Sequence, residues 1–90
     1  MNSIPKYEVY LESRTEKDLK HLSQSRQDFN RIVVKIKSLA YNPRPKGCHK
    51  LVGSKNDWRI RIGNYRVIYE IDDRVKEVRV MFVKHRRNAY

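Results

Sequence analysis

The stretch that decides the fold runs from residue 58 to residue 71 and reads Trp58-Arg59-Ile60-Arg61-Ile62-Gly63-Asn64-Tyr65-Arg66-Val67-Ile68-Tyr69-Glu70-Ile71. Apolar and charged residues alternate over its first five positions, which is the period of a β-strand with one buried face. Gly63 and Asn64 then give a turn signal, so the second half should return as the antiparallel partner of the first. The stretch therefore predicts a β-hairpin with Arg59 and Arg61 side by side on the face away from the core.

Two further segments predict strands that extend this hairpin. Apolar and polar residues alternate over Tyr7–Glu12, which predicts a first strand. The segment Val75–Val83 predicts a last strand, with Val78, Val80 and Phe82 as one apolar set. A short strand at 50–52 is also expected in the connection between residues 42 and 57.

Two helices are predicted between the first strand and the hairpin. Ser13 and Ser25 each stand three residues before an acidic residue, a spacing typical of helix starts, and Pro43 ends the second helix. The apolar stripe of that second helix consists of Phe29, Ile32, Val33, Ile36 and Ala40. The order β-α-α-β-β-β predicts an α+β fold, an antiparallel sheet with a helical hairpin on one face and the other face open.

The length and charge of the chain limit the classes of function that it can have. The chain has 90 residues, which suit one small domain, so we take residues 1–90 as a single unit. It carries 21 Lys and Arg against 10 Asp and Glu, a formal net charge of +11, and 39% of its residues are hydrophobic. These values exclude a disordered basic tail and a multi-domain enzyme with a deep cleft. The excess positive charge attracts polyanions, so nucleic acid is the leading class of partner.

The sequence lacks the signals of several other protein classes. No apolar run approaches the roughly 20 residues of a membrane span, and residues 1–6 do not form a signal peptide, so we expect a soluble, cytoplasmic protein with no membrane partner. The single cysteine, Cys48, excludes an intramolecular disulfide. His21, His49 and His85 are scattered, and no phosphate-binding loop is present, so we expect neither a metal nor a cofactor.

Three arginines should converge on the open face of the hairpin. Arg59 and Arg61 lie two residues apart on one strand, and Arg66 begins the neighbouring strand. Like charges repel one another, and a phosphodiester bound there would relieve the repulsion through bidentate hydrogen bonds. The pattern therefore predicts a phosphate-binding site.

Two residues near the C-terminus could add acid–base chemistry to that site. Cleavage of RNA through its 2′-hydroxyl requires a base, an acid and donors that stabilise the transition state. His85 carries an imidazole and Tyr90 a phenol, and either group can move a proton. Taken singly, each also has a plain interpretation, as an exposed polar residue and as a frayed terminus.

The motifs as a set resemble a known family. Nearly the whole chain resembles the RelE branch of the RelE/ParE toxin superfamily in the order of its elements. The resemblance rests on Lys50-Leu51-x-Gly53, on W-R-I-R-x-G-x-Y-R-x-x-Y from Trp58 to Tyr69, and on H-R-R-x-x-Y from His85 to Tyr90. It implies the toxin of a type II toxin–antitoxin pair, an endoribonuclease that cleaves mRNA in the ribosomal A site without a metal and leaves a cyclic phosphate.

The resemblance also implies roles for individual residues. Its catalytic positions fall on Arg59, Arg61 and Arg66, on His85 or Arg86, and on Tyr90. The family's strand pair is lysine, whereas here both residues are arginine, which does not readily lose a proton. We therefore assign the arginines at 59, 61 and 66 to phosphate binding and the proton transfers to the C-terminal residues. Further RNA contacts are expected from Lys50, Lys55, Arg79, Lys84 and Arg87.

Partners and alternatives follow from the same resemblance. The implied partners are the ribosome, mRNA and a cognate acidic antitoxin, and a toxin–antitoxin heterotetramer is one assembly compatible with them. In the ParE branch the same scaffold inhibits DNA gyrase without cutting RNA. A non-catalytic RNA-binding module is the third alternative.

Overall fold

The fold is a five-stranded sheet with two helices on one of its faces. The computed structural model describes residues 4–22 and 24–88. The elements, in chain order, are β1 (Glu8–Leu11), α1 (Ser13–Leu22), α2 (Arg26–Ser38), β2 (His49–Lys50), β3 (Asp57–Ile62), β4 (Tyr65–Asp72), β5 (Glu77–His85) and a 3₁₀ turn (Arg86–Asn88). The strands lie side by side in the order β1-β5-β4-β3-β2. The predicted α+β architecture and its helical hairpin are confirmed.

The sheet is mixed, whereas the sequence predicted an antiparallel one. Strands β2 to β5 pair antiparallel, but β1 runs parallel to β5, with Val9 opposite Val78. The meander of β3, β4 and β5 leaves one edge of β5 with unpaired backbone groups, and β1 covers the first half of that edge. The alternation in β1 predicts a strand but says nothing about the direction of its partner.

The core lies between the sheet and the two helices. Three members of the stripe predicted for α2 are confirmed, because Ile32 and Ile36 are buried and Phe29 packs against the core. Val33 is only partly buried, and Ala40 lies beyond the end of α2 at Ser38. Burial of these apolar groups is the main force that holds the helices on the sheet. The largest fully buried side chains are Tyr69, Ile32, Leu39, Ile71, Val67, Val78, Val80 and Thr15. Among the described residues, no helix is both long and apolar enough to cross a membrane.

A β-bulge in β5 changes which of its side chains face the core. Ile68 of β4 pairs with Phe82 and Tyr69 pairs with Val80, so Met81 has no cross-strand partner. Such an extra residue shifts the two-residue alternation by one position. Val83 is consequently buried with Val80, and Phe82 faces the other side of the sheet. The predicted grouping of Phe82 with the core valines is therefore wrong.

Helix α1 covers the half of the β5 edge that β1 leaves open. The Thr15 hydroxyl donates to the carbonyl of Val80 over 2.7 Å, and the backbone N–H of Val83 donates to the carboxylate of Asp18 over 2.9 Å. These bonds satisfy edge groups that would otherwise be open to another strand. They also place α1 at the rim of the sheet, where its side chains can reach the open face.

The connection between α2 and β2 is fixed by contacts with β3, with β4 and with the residue that follows β4. The Tyr69 hydroxyl donates to the carbonyl of Pro43 over 2.8 Å, and burial raises the pKa of this phenol. Arg44 lies 5.0 Å from the centre of the Trp58 ring and forms a bidentate ion pair with Asp73, at 2.7 and 3.2 Å. The Tyr7 hydroxyl donates to the same carboxylate over 2.6 Å. The short strand β2 is thereby held at the edge of the sheet.

We expect Asp73→Asn to destabilise the protein at neutral pH but not in strong acid. Hydrogen bonds from Arg44 and Tyr7 lower the pKa of the Asp73 carboxyl from 3.8 to about 2. A lowered carboxyl pKa stabilises the fold above the ordinary carboxyl pKa, and that contribution disappears as the pH falls towards 2. Thermal unfolding followed between about pH 7 and pH 2 should show a gap between wild type and variant that closes with acid.

A double variant provides the control for this prediction. Arg44→Gln/Asp73→Asn removes both partners of the ion pair, so it should show the same pH dependence as Asp73→Asn alone. A constant difference between wild type and Asp73→Asn across the whole pH range would contradict the account.

Candidate nucleic-acid interface

The sheet face away from the helices carries a row of cations that crosses three strands. Arg61 of β3 lies opposite Arg66 of β4, which in turn lies opposite Lys84 of β5. Directly paired residues project to the same side, with Cβ atoms about 5 Å apart. Arg59 projects to this side as well, about 7 Å along β3 from Arg61. We call this surface, formed by Arg59, Arg61, Arg66 and Lys84, the basic face.

A second row lies beside the first and combines a histidine with apolar groups. His49 of β2 pairs with Arg59, which pairs with Ile68, which pairs with Phe82. The guanidinium of Arg14 reaches over the rim from α1 and lies 4.8 Å from the centre of the Phe82 ring. This row therefore offers an imidazole at one end and an aromatic ring with a bound cation at the other.

Arg66 is the most enclosed cation of the basic face. It is only 8% exposed, whereas Arg61 opposite it is open to solvent. Burying a guanidinium costs free energy, and strand β4 holds it among its neighbours instead of letting it extend into water. A cation fixed in this way needs little reorganisation to meet an anion. An anion that reached the basic face would therefore meet its most rigidly held cation at Arg66.

The positive surface ends one row further along the sheet. Arg79 lies opposite Glu70, and Glu70 lies opposite Asp57. Arg79 also forms an ion pair with Glu12, at 3.4 Å. These acids balance Arg79, the residue that the sequence had placed among the RNA contacts, and they mark the border of the basic face.

His85 does not share a face with the arginines. It pairs with Tyr65, and the two rings meet edge to face with their centres 5.1 Å apart. With Asp18 and His21 they line a pocket of about 370 Å³ on the helix side of the sheet. The His85 Nδ1 accepts a hydrogen bond from the backbone N–H of Arg87 over 3.2 Å. His85 thus holds the beginning of the C-terminal turn.

The C-terminal turn lies beside the hairpin. The backbone N–H of Arg86 donates to the carbonyl of Asn64 over 2.7 Å, and the side chains of Arg86 and Arg87 are exposed. This bond places the turn at the same end of the sheet as the row through Arg66. Tyr90, predicted to be catalytic, lies outside the described residues.

The two remaining predicted RNA contacts lie away from the basic face. Lys50 pairs with Trp58, and Trp58 packs against the core on the helix side of the sheet. Lys50 therefore projects to the helix side as well. Lys55 lies in the exposed connection between β2 and β3. Both lie at the β2 edge, and neither meets the row of three cations.

Sequence reasoning missed three members of the site. The sequence places His49 in the connection between residues 42 and 57, and only the pairing of β2 with β3 brings it beside Arg59. Phe82 was assigned to the core because the bulge in β5 leaves no signature in the alternation. Arg14 follows a predicted helix start, but its position at the rim depends on α1 covering the edge of β5.

Comparisons with known proteins agree with this fold. Residues 9–90 match the sequence model of a family described as the ParE toxin of the type II toxin–antitoxin system parDE. A protein of Methanocaldococcus jannaschii named "Putative toxin RelE1" is 36% identical over 90 residues, covering 94% of this chain and 96% of the relative. The chain belongs to the RelE/ParE superfamily of type II toxins. The predicted family is thereby confirmed.

Solved structures of this superfamily share the fold of the toxin. RelE in the RelE–RelB complex of Pyrococcus horikoshii superposes with a TM-score of 0.80 at 28% identity, covering 93% of this chain and 99% of the other. The toxin–antitoxin complex RelBE2 of Mycobacterium tuberculosis gives a TM-score of 0.77 at 25% identity, with 91% and 99% coverage. This chain is thus a toxin of the RelE type.

Proposed function

We propose that this toxin is an endoribonuclease that cleaves mRNA in the ribosomal A site without a metal ion. The observation that carries the proposal is the row of Arg61, Arg66 and Lys84 across three adjacent strands. A row of fixed cations suits the phosphate of a nucleic-acid backbone, whose charge it neutralises. The family membership supports a toxic activity, and the resemblance to the RelE branch implies RNA as the target.

In the proposed reaction the 2′-oxygen of one nucleotide attacks the neighbouring phosphorus. A bond forms between the 2′-oxygen and phosphorus, the bond from phosphorus to the 5′-oxygen breaks, and the products are a 2′,3′-cyclic phosphate and a 5′-hydroxyl. The five-coordinate transition state carries more negative charge on its non-bridging oxygens than the substrate does. Arg59, Arg61, Arg66 and Lys84 bind those oxygens and stabilise this extra charge.

The two proton transfers require groups on the same side of the sheet as the phosphate. His49 meets this requirement through its pairing with Arg59, and imidazole exchanges protons near neutral pH. We assign to His49 the removal of the 2′-hydroxyl proton. Arg86, whose turn is bonded to Asn64, and Tyr90 are assigned to the leaving 5′-oxygen, Tyr90 as its proton donor.

His85 takes a different role from the one first assigned to it. Its ring contacts Tyr65 on the helix side, and its Nδ1 accepts the N–H of Arg87. It is a positioning residue, because it orients the turn that carries Arg86. A change at His85 should therefore disturb the position of Arg86 and leave the proton-transfer groups in place.

The proposed partners follow from the charge and from the relatives. The net charge of +11 steers the toxin towards the ribosome, a body dense in phosphate, and that target places its action in the cytoplasm. The RelE toxins of Pyrococcus horikoshii and Mycobacterium tuberculosis were solved in complex with antitoxins. We propose that an acidic antitoxin silences this toxin too, with a heterotetramer as its assembly.

A ParE-like activity is the second candidate, because the matching family description is that of ParE. The two candidates differ in their immediate cellular product. After induction of the toxin in cells, we expect the mapped 5′ ends of mRNA to show new cuts within translated codons. Expression of the Arg66→Ala variant serves as the control and should leave these ends unchanged.

DNA breaks measured in the same induced cells distinguish the two candidate activities. Persistent breaks of DNA bound covalently to gyrase, without new mRNA ends, would overturn the proposal in favour of the ParE-like activity. Intact mRNA and intact DNA, together with tight binding to purified RNA, would favour the non-catalytic module.

A further inference from the structure

A second cationic surface adjoins the basic face at the edge of β3. A groove of about 540 Å³ lies between α2 and the end of β3. We call it the α2 groove, and it is lined by Asn30, Arg31, Val34, Lys35, Arg61 and Gly63. Strand β2 pairs with residues 58 and 59 alone in β3, so the edge beside Arg61 is open to this groove. Arg61 therefore belongs to both surfaces.

The position of Arg31 in the groove depends on the glycine of the hairpin turn. Gly63 has a φ of +59°, and a Cβ built on it would approach the Nη2 of Arg31 to 3.2 Å. The absence of a side chain lets the guanidinium lie against the turn. Asp28 is the acidic neighbour of Arg31 on α2, but it is a weak partner, because the two charged groups are 4.0 Å apart and the Arg31 side chain is 51% exposed. The guanidinium can therefore bind a further anion.

The groove offers more than positive charge. Lys35 lies one helical turn beyond Arg31 on α2, and the two cations flank the groove together with Arg61. Val34 is 67% exposed beside them and gives the groove an apolar contact surface. Asn30 adds an amide that can donate and accept. The cations can bind phosphates, the valine can contact a ribose or a base, and the amide can hydrogen-bond to either. Together these groups match the chemistry of a single nucleic-acid strand.

We infer that the α2 groove binds the mRNA backbone on one side of the cleaved linkage. The inference rests on the proposed function, because Arg61 would hold the reacting phosphate on the basic face. The next phosphate of the same strand, passing over the edge of β3, would then meet Arg31 and Lys35. This continuity through Arg61 favours the mRNA over ribosomal RNA and over an acidic polypeptide as the occupant.

The inference predicts a defect in binding without a defect in chemistry. Cleavage would be measured under single-turnover conditions on purified ribosomes programmed with mRNA. Arg31→Ala/Lys35→Ala should raise the toxin concentration for half-maximal cleavage about 10-fold or more, because two charge-assisted contacts are lost. Its rate at saturation should stay within about 2-fold of wild type, because Arg66 and its neighbours are intact.

A matched double variant controls for net charge. Lys17→Ala/Arg26→Ala removes two exposed cations from the helices outside the groove. We expect it to change the half-maximal concentration by less than about 3-fold, since it affects steering only. Equal effects of the two double variants would overturn the inference while leaving the proposed function intact. Failure of Arg66→Ala to lower the saturated rate would instead count against the proposed function.

A chemical change in the mRNA identifies the occupant. Neutral methylphosphonate linkages would be placed one at a time beside the cleaved linkage. At one or two positions the neutral linkage should raise the concentration of wild-type toxin for half-maximal cleavage about 10-fold. At those positions it should not raise the value for the Arg31→Ala/Lys35→Ala variant any further. Additive losses at every position would overturn the assignment to mRNA and point to ribosomal RNA. Loss of antitoxin affinity with unchanged ribosome affinity would overturn it in favour of the antitoxin.

Discussion

Arg66→Ala should reduce the saturated rate of mRNA cleavage by about 100- to 1,000-fold, the range observed when one preorganised donor to a developing negative charge is removed. Arg66 is the central cation of the row and the most enclosed, at 8% exposure. Its loss removes both the charge and the fixed geometry at the place where the transition state gains charge. Single-turnover cleavage on programmed ribosomes measures this rate directly.

Arg61→Lys is the matched control for this prediction. Residue 61 is open to solvent, and a lysine there keeps the positive charge while losing bidentate geometry. We expect this variant to retain much of the wild-type rate. Unfolding by heat and circular dichroism would show that Arg66→Ala is folded, since Arg66 is a buried residue of the central strand β4. If a folded Arg66→Ala variant cleaved at the wild-type rate, the proposal that the basic face binds the reacting phosphate would be wrong.

His49→Ala should lower the saturated rate by about 100-fold, a typical contribution of general acid–base catalysis, and His85→Ala should lower it by less than about 10-fold. The prediction follows from the register, which places His49 beside Arg59 on the basic face and His85 against Tyr65 on the helix side. A general base acts in its deprotonated form. The wild-type rate should therefore rise with pH, and His49→Ala should lose that rise.

The pH profile separates proton transfer from positioning. His85→Ala should keep the shape of the wild-type profile, because His85 acts through the turn that carries Arg86. The conservative variant His85→Asn retains an acceptor for the N–H of Arg87 and should restore part of the rate. The opposite pattern, a flat pH profile for His85→Ala and a wild-type pH profile for His49→Ala, would show that His85 is the general base.

The sequence was sufficient for the helices and the central hairpin, and for placing Arg61 beside Arg66 on the basic face. Strict alternation around Ile60 and the turn at Gly63 predict the central hairpin, and the register confirms that Arg61 and Arg66 are direct neighbours. These inferences succeed because strand period and turn chemistry are local properties. The helical hairpin was predictable for the same reason, from the stripe through Ile32 and Ile36.

What the sequence could not show depends on pairing between distant segments. Counting by twos from Val78 places Lys84 with the core residues and His85 on the open face. The bulge at Met81 exchanges these two positions, so that Lys84 joins the arginines and His85 faces the helices. A bulge is a property of the ladder between two strands, and one strand read alone does not reveal it. The parallel β1 and the place of His49 were missed for the same reason.

The most direct test of the account is the cleavage of an mRNA with one altered sugar. A synthetic mRNA is placed in the ribosome with a single 2′-deoxynucleotide immediately 5′ of the linkage that the wild-type toxin cuts. Attack by the 2′-oxygen requires that hydroxyl, so we predict no cleavage at the altered linkage, and a 2′,3′-cyclic phosphate on the product of the unaltered mRNA. Undiminished cleavage of the deoxy linkage, or intact unaltered mRNA at saturating toxin, would contradict the account.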